Sequence, residues 1–314
     1  MLAYVARRFL VALPTLIGAY ILIFLLIRFV PGDPVLVIMD ANPTGADSYD
    51  LIEQRLGLDK PLAQQFVESV TNMAHGDLGT SFQNERPVSV NILDQLPDTI
   101  ILAIAALIIS GLIGIPTGVI AALRRSRWQD FAAMVGALIG VCAPSFWLAI
   151  LLIIVFSLKL GWLPTFGVGD THHPLSVLSH VILPAVSLGA ASAGLVARVT
   201  RSSMLESMSQ DYVRTARAKG LSERKVVIRH GLRNALMSIT TIYGLEAVAL
   251  LSGAVITETV FARRGIGKLL IDAVLSRDYP QIQALLFLFV ILAVVINIAI
   301  DVVYAIVDPR IRYR

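Results

Sequence analysis

Residues 9–27 read FLVALPTLIGAYILIFLLI, a run of positions without a single charge. A helix needs about 20 predominantly apolar residues to cross a hydrocarbon layer of about 30 Å, so Phe9–Ile27 predicts a membrane span. The run exceeds the roughly 7–15-residue apolar core of a secretory leader, and no small-residue cleavage site follows it. It is therefore expected to be a retained first span. Working outward, further apolar segments lie at Ile100–Leu123, Phe131–Leu158, Val181–Val196, Ala235–Ile256 and Ala284–Val307. The fold class expected is all-α integral membrane with six transmembrane helices, which puts both chain ends on one side.

The composition agrees with this. The chain of 314 residues is 56% hydrophobic and 15% charged, where soluble domains carry roughly 25% charge. Its mean hydropathy is +0.75. The single cysteine, Cys142, has no partner for an internal disulfide or a cysteine-based metal site, and reads as a packing residue. The pI of about 9.3 does not point to nucleic acid, because the basic residues form no aromatic-interleaved patch on a soluble domain. They follow the bias of short cytoplasmic loops instead. With the N-terminus inside, Arg7, Arg8, Arg124, Arg125, Arg127, the cluster from Arg198 to Arg233, and Arg310, Arg312 and Arg314 all lie in the cytoplasm. The segment from Pro31 to Pro97 holds ten acids, from Asp33 to Asp94, against Arg55, Lys60 and Arg86, and reads as an external segment. Arg263, Arg264, Lys268 and Arg277 run against this arrangement. The organisation expected is an N-terminal span (1–30), the external segment (31–97), a membrane core (98–307) with a cytoplasmic loop at 201–234, and a cytoplasmic tail (308–314).

Few residues carry candidate chemistry. Neither His-Glu-x-x-His nor Gly-x-Ser-x-Gly occurs, so no zinc pair or nucleophile elbow is available. Arg263–Lys268 resembles a phosphate loop only superficially, since Ala262 stands at the first glycine position and Leu269 follows the lysine. His172, His173 and His180 attract notice because imidazole suits nickel, but adjacent histidines beside Pro174 supply no complete coordination shell. Gly111, Gly114, Gly118, Gly136 and Gly140 read as small residues that let helices approach closely. Glu246 falls near the middle of the fifth span, where an ionisable side chain is costly and faces a bundle interior or a water-filled path. It either lines a substrate path, together with Asn297, or packs between helices, bonded to a neighbour such as Asn297 or Asp301.

Between spans four and five, Asp211-Tyr212-Val213-Arg214-Thr215-Ala216-Arg217-Ala218-Lys219-Gly220-Leu221 is too polar to cross a membrane and is mostly built of good helix formers. Gly220 is a natural stop, since helix ends often need a residue that tolerates positive φ. A second helix, Ser222 to Asn234, is expected to follow, with Ser222 as its N-cap and Glu223 in its first turn.

Here the chain resembles the permease subunits of ABC importers, whose cytoplasmic loop carries a Glu-Ala-Ala motif, a later Gly and an Ile-x-Leu-Pro. Arg214-Thr215-Ala216, Gly220 and His230-Gly231-Leu232-Arg233 occupy those places, and the departures match the variant of the dipeptide, oligopeptide, glutathione and nickel permeases. The resemblance runs along nearly the whole chain: Val30-Pro31-Gly32-Asp33-Pro34, Leu56-Gly57-Leu58-Asp59-Lys60-Pro61, His75-Gly76-Asp77-Leu78-Gly79, Gly161-Trp162-Leu163-Pro164, Thr200-Arg201-Ser202-Ser203-Met204, Arg277-Asp278-Tyr279-Pro280 and Asp308-Pro309-Arg310-Ile311-Arg312.

The resemblance implies a type I importer transmembrane domain in a bacterial inner membrane. It also implies a second permease subunit, two ATP-binding cassette subunits and an extracytoplasmic substrate-binding protein as partners, with lipid around the helices and no nucleic acid. Asp211, Tyr212, Arg214, Thr215, Ala216, Lys219, Gly220 and Leu221 are the ATPase-coupling residues it implies, the basic ones free to meet an acidic partner surface. No cofactor is expected on this chain; ATP and Mg are used by the partner ATPases, and no catalytic residue is expected here. Peptides rank first as cargo, with glutathione or nickel carried by the same machinery as the alternative. An ATP-independent secondary transporter is the rival class, but no convincing internal repeat supports it.

Overall fold

A computed structural model of the chain describes residues 2–29, 35, 36, 39, 49–170 and 172–307. The motif at 30–34 and the tail at 308–314 lie outside the described residues. The long elements are helices: α1 (Leu2–Phe29), α2 (Tyr49–Leu56), α3 (Leu62–Ala74), α4 (Val88–Leu123), α5 (Trp128–Cys142), α6 (Ser145–Lys159), α7 (Pro174–Met208), α8 (Asp211–Ala218), α9 (Glu223–Val260), α10 (Ile266–Leu275) and α11 (Tyr279–Val307). The chain divides into two compact units, Met1–Pro97 with Gly265–Val294, and Asp98–Arg264 with Val295–Arg314.

In the first unit the described part of the 31–97 segment folds together with α1, α10 and the start of α11. Val88, Ile92, Ile266, Ala284 and Leu285 form its buried core, with Leu269, Leu288 and Phe289 packed against them. Two buried polar pairs meet within it: Ser81 Oγ donates to Asp278 at 2.5 Å and Asn91 Nδ2 to Gln281 Oε1 at 2.9 Å. The backbone N–H of Gly265, where a phosphate loop would offer its amides, instead meets Gln95 Oε1 at 3.2 Å.

In the second unit α7 is the central helix, two-thirds of its most apolar window being buried (67%); α5, α6 and α9 all pack on it. Small residues make this possible. A Cβ on Gly114 would stand 2.7 Å from the Ala193 carbonyl, and one on Gly118 2.5 Å from that of Ala197, so α4 and α7 touch backbone to backbone. Gly136, by contrast, has open space around its missing Cβ, and its expected packing role is corrected.

Among the described residues five helices are long and apolar enough to cross a membrane: Leu10–Phe29, α4, α7, α9 and the 279–302 part of α11. The expected third span is not one straight helix. α5 and α6 meet at an angle of 104°. Each has fifteen residues, about 22 Å of helix, which is short of the hydrocarbon thickness. The cause lies in the sequence: Pro144 bars the preceding residue from the α region, and Ala143 takes φ −70, ψ 127. The bent pair counts as a sixth span only if taken as one crossing.

The helix expected at Ser222–Asn234 is corrected too. It starts at Glu223 without a side-chain cap bond from Ser222, passes through a π-helical stretch at Val226–Leu232, and runs straight into the fifth apolar helix. No breaker separates Asn234 from Ala235, so a single 38-residue helix forms. At about 57 Å it outruns any bilayer.

Candidate functional site

The polar segment 211–221 forms α8 and its closing turn. Two apolar residues face inward: Val213 is fully buried and Ala216 nearly so, and they cluster with Val226 at the foot of α9. Asp211, Tyr212, Arg214, Thr215, Lys219, Gly220 and Leu221 are exposed. Ala216 therefore seats α8 on its own chain, and the surface left to a partner is built from its neighbours. Lys219 N–H bonds Thr215 at 3.0 Å, Gly220 N–H bonds Arg217 at 2.9 Å, and the chain leaves the helix through Gly220 at φ +75. That is the left-handed conformation glycine adopts at no steric cost.

Behind α8 a serine ties three elements. Ser207 Oγ, in the last turn of α7, lies 2.8 Å from Tyr212 Oη and 3.1 Å from the Gly231 carbonyl. Gly231 packs closely there: a Cβ on it would stand 2.8 Å from Met208 Sδ, so that methionine side chain would have to shift. The ends of two long helices and the short polar helix are thus tied together at one side chain. Ser207 carried no motif that marked it beforehand.

The charges on α8 are partly spent inside the chain. Arg217 Nε is 2.7 Å from Glu223 Oε1 and Arg214 Nη1 is 3.4 Å from Asp211 Oδ1. Both pairs are solvent-exposed, and among the described residues Lys219 shows no ion pair. Farther along α7, Arg201 grips Asp130 with two bonds, 2.6 and 2.7 Å, and Asp130 also accepts from the Ser126 N–H at 3.0 Å. This forked pair pins the start of α5 to α7; the sequence pointed to Arg201 only through a motif.

Glu246 is buried, 9% exposed, and its carboxylate accepts a hydrogen bond from Ser192 Oγ of α7. The partner expected on the last span is thus found on α7 instead. Asn297 is exposed on α11. Of the outward-reading cations, Arg263 is wholly buried with Asp98 at 3.9 Å, Arg264 lies 3.7 Å from the same carboxylate, and Lys268 is 2.5 Å from Asp272. His180 Nδ1 sits 2.7 Å from the Ser176 carbonyl and His173 3.7 Å from Asp170. Among the described residues no three His, Cys, Asp or Glu side chains gather as a metal-holding group.

Comparison with known proteins gives the setting for this geometry. Residues 114–313 match the family described as binding-protein-dependent transport system inner membrane component, and residues 1–103 match its N-terminal counterpart. The chain is 44% identical to the glutathione transport system permease protein GsiC of Escherichia coli (strain K12), and 42% identical to the di/tripeptide transport system permease protein DppB of Pseudomonas aeruginosa (strain UCBPP-PA14). Each alignment covers 100% of both proteins. Among solved structures it is similar to the inward-facing MetNI methionine ABC transporter, with a TM-score of 0.58 at 19% identity over 69% of this chain and 96% of that one.

Proposed function

This chain belongs to the binding-protein-dependent transport system inner membrane components, and from that premise we propose that it is the permease subunit of an ATP-driven importer of di- and oligopeptides. It forms half of a translocation pathway, with a related second permease forming the other half. Two ATP-binding cassette subunits, which use ATP and Mg, dock from the cytoplasm, and an external binding protein delivers cargo. Both chain ends lie in the cytoplasm of a bacterial inner-membrane assembly.

The observation that carries this reading is the build of α8. A helix too polar to enter lipid is fastened from behind by Val213, Ala216 and Ser207, and presents Asp211, Tyr212, Thr215, Lys219, Gly220 and Leu221 outward. A docking helix needs that combination, because force applied to its exposed face must reach the membrane rather than bend a loop. ATP binding draws two such helices together and opens the cavity outward, and hydrolysis resets it. On this reading Glu246 holds α9 to α7 through Ser192, while Asn297 is left free to face the path.

Glutathione is the second reading for the cargo, because the relative named for it is as similar as the one named for peptides. Glutathione is itself a tripeptide, so the two readings share a chemistry. Selectivity in such importers rests largely with the binding protein. Competition between dipeptides, oligopeptides, glutathione and Ni²⁺ on the cognate binding protein decides the matter: displacement by peptides alone supports the first reading, and by glutathione or Ni²⁺ alone overturns it.

A further inference from the structure

The first unit holds a cavity of about 360 Å³, walled by α1, α3 and the beginning of α11, and none of the candidate site residues described above lines it. Tyr20 and Arg28, both in its wall, are eight positions apart on α1, which is about 12 Å along the helix axis. The cavity thus runs from the last turn of an apolar helix down into its hydrocarbon-level stretch. The opposite face of α1 carries Leu22, Leu25, Leu26 and Phe29, all exposed, as a helix bordered by lipid requires.

Its two ends differ in chemistry. At one end, the Arg28 guanidinium lies 3.7 Å from the centre of the Phe24 ring. Among the described residues its Nε and Nη1 reach only amide oxygens, Gln65 Oε1 at 3.2 Å and Gln283 Oε1 at 3.4 Å. The carboxylates in the same wall do not neutralise it: Glu68 is held by Lys60 at 2.8 Å, and Asp77 is exposed and accepts from the Gly79 N–H at 2.9 Å. Tyr279, one helical turn before Gln283 and so on the same face, lines the cavity, and its hydroxyl, buried beside it, has no hydrogen-bond partner among the described residues. At the other end the Tyr20 and Phe287 rings meet edge to face at 5.1 Å, and the Tyr20 hydroxyl is already engaged, 2.5 Å from Ser69 Oγ and accepting from Gln283 Nε2 at 2.8 Å, so that the rings rather than the hydroxyl are left to face an apolar group.

A guanidinium with no carboxylate partner among the described residues favours a phosphate oxygen, which it can meet by charge-assisted hydrogen bonds, and a buried hydroxyl without an acceptor is costly to leave empty. We propose that this cavity binds one anionic phospholipid, its phosphate accepting hydrogen bonds from Arg28 and Tyr279 and an acyl chain lying along Tyr20 and Phe287. The inference rests on α1 spanning a membrane, as in the reading above. Free phosphate shares the headgroup chemistry but makes no use of the apolar depth.

The test is native mass spectrometry of the delipidated full chain, together with whatever subunits copurify, titrated separately with phosphatidylglycerol, phosphatidylcholine and inorganic phosphate. One phosphatidylglycerol is expected to bind in preference to phosphatidylcholine, and about tenfold more weakly to Arg28→Gln, as the loss of a charge-assisted bond implies. Tyr279→Phe is expected to weaken it by a smaller factor. Phe287→Trp, which fills the apolar end and leaves Arg28 in place, weakens the lipid but not phosphate. If Arg28→Gln cannot be recovered folded, Arg28→Lys serves, with an intermediate loss. Equal binding of both lipids, unchanged binding in the variants, or phosphate displacing the lipid mole for mole would each overturn the proposal. A complex that still copurifies with ATPase chains while showing any of these results would leave the importer reading standing.

Discussion

Gly220 stands at φ +75 with nothing within 4 Å of the place a Cβ would occupy, so its requirement is one of backbone conformation alone. Gly220→Ala is expected to cost about 1 kcal/mol at that turn, leaving the chain in the membrane but loosening α8, with uptake and ATPase copurification both reduced. Gly220→Asn should do less harm, because asparagine tolerates the left-handed region better. Uptake measured side by side for the two variants checks the ranking. Glu246 makes a different prediction. Glu246→Gln can still accept from Ser192, so transport and its selectivity should persist, whereas Glu246→Leu leaves a buried hydroxyl unpaired at a cost of about 1–3 kcal/mol and should lower the thermal stability of the purified chain. Altered selectivity in Glu246→Gln would restore the path-lining role. At the external segment, hydrogen bonds from Lys60 hold the Glu68 carboxyl below its ordinary value of 4.5. A group whose folded value is depressed contributes stability above its unfolded value and loses it as pH falls through the folded one. The pair is solvent-exposed, so the loss on acidification below about pH 4.5 should be small, and absent in Glu68→Gln.

The α8 helix works as an element because it is wedged between the end of α7 and the foot of α9. Its Arg217–Glu223 pair, although 2.7 Å long, is exposed and should show a coupling of no more than about 1 kcal/mol in a double-mutant cycle on thermal unfolding. Pro144 governs the other irregular element. Pro144→Ala lets Ala143 return to helical angles and should straighten the 104° bend, with uptake lost and the reactivity of the exposed Cys142 thiol towards maleimide changed. These elements also show what could be read beforehand. Apolar runs located every long helix, and Gly220 marked the end of α8, because both are local signals. The Ala143–Pro144 break was equally local, but the unbroken hydropathy around it hid the bend. The continuity of α9 was masked by the switch from polar to apolar composition at Asn234–Ala235, which is a change of solvent rather than of backbone. The partners of Glu246, Arg217 and Arg28 come from other elements, Ser192, Glu223 and Gln283, and no spacing along the chain reveals such pairings.

At the scale of the whole molecule, the account places α8 on the cytoplasmic side and α3 outside. With Cys142 replaced by serine, a membrane-impermeant thiol reagent applied to intact cells should label Asn72→Cys and spare Lys219→Cys, and the pattern should reverse in inside-out vesicles. The central claim is that this chain is one part of an ATP-driven assembly, joined to it through α8. The most direct measurement is purification of the chain from its native membranes in mild detergent, with mass spectrometry of what accompanies it, repeated for Gly220→Val and for Thr215→Trp on the exposed face. The account predicts recovery of a second permease and ATP-binding cassette chains with the native protein, and loss of the cassette chains alone in the variants. A chain recovered by itself that still drives uptake without ATP would contradict it.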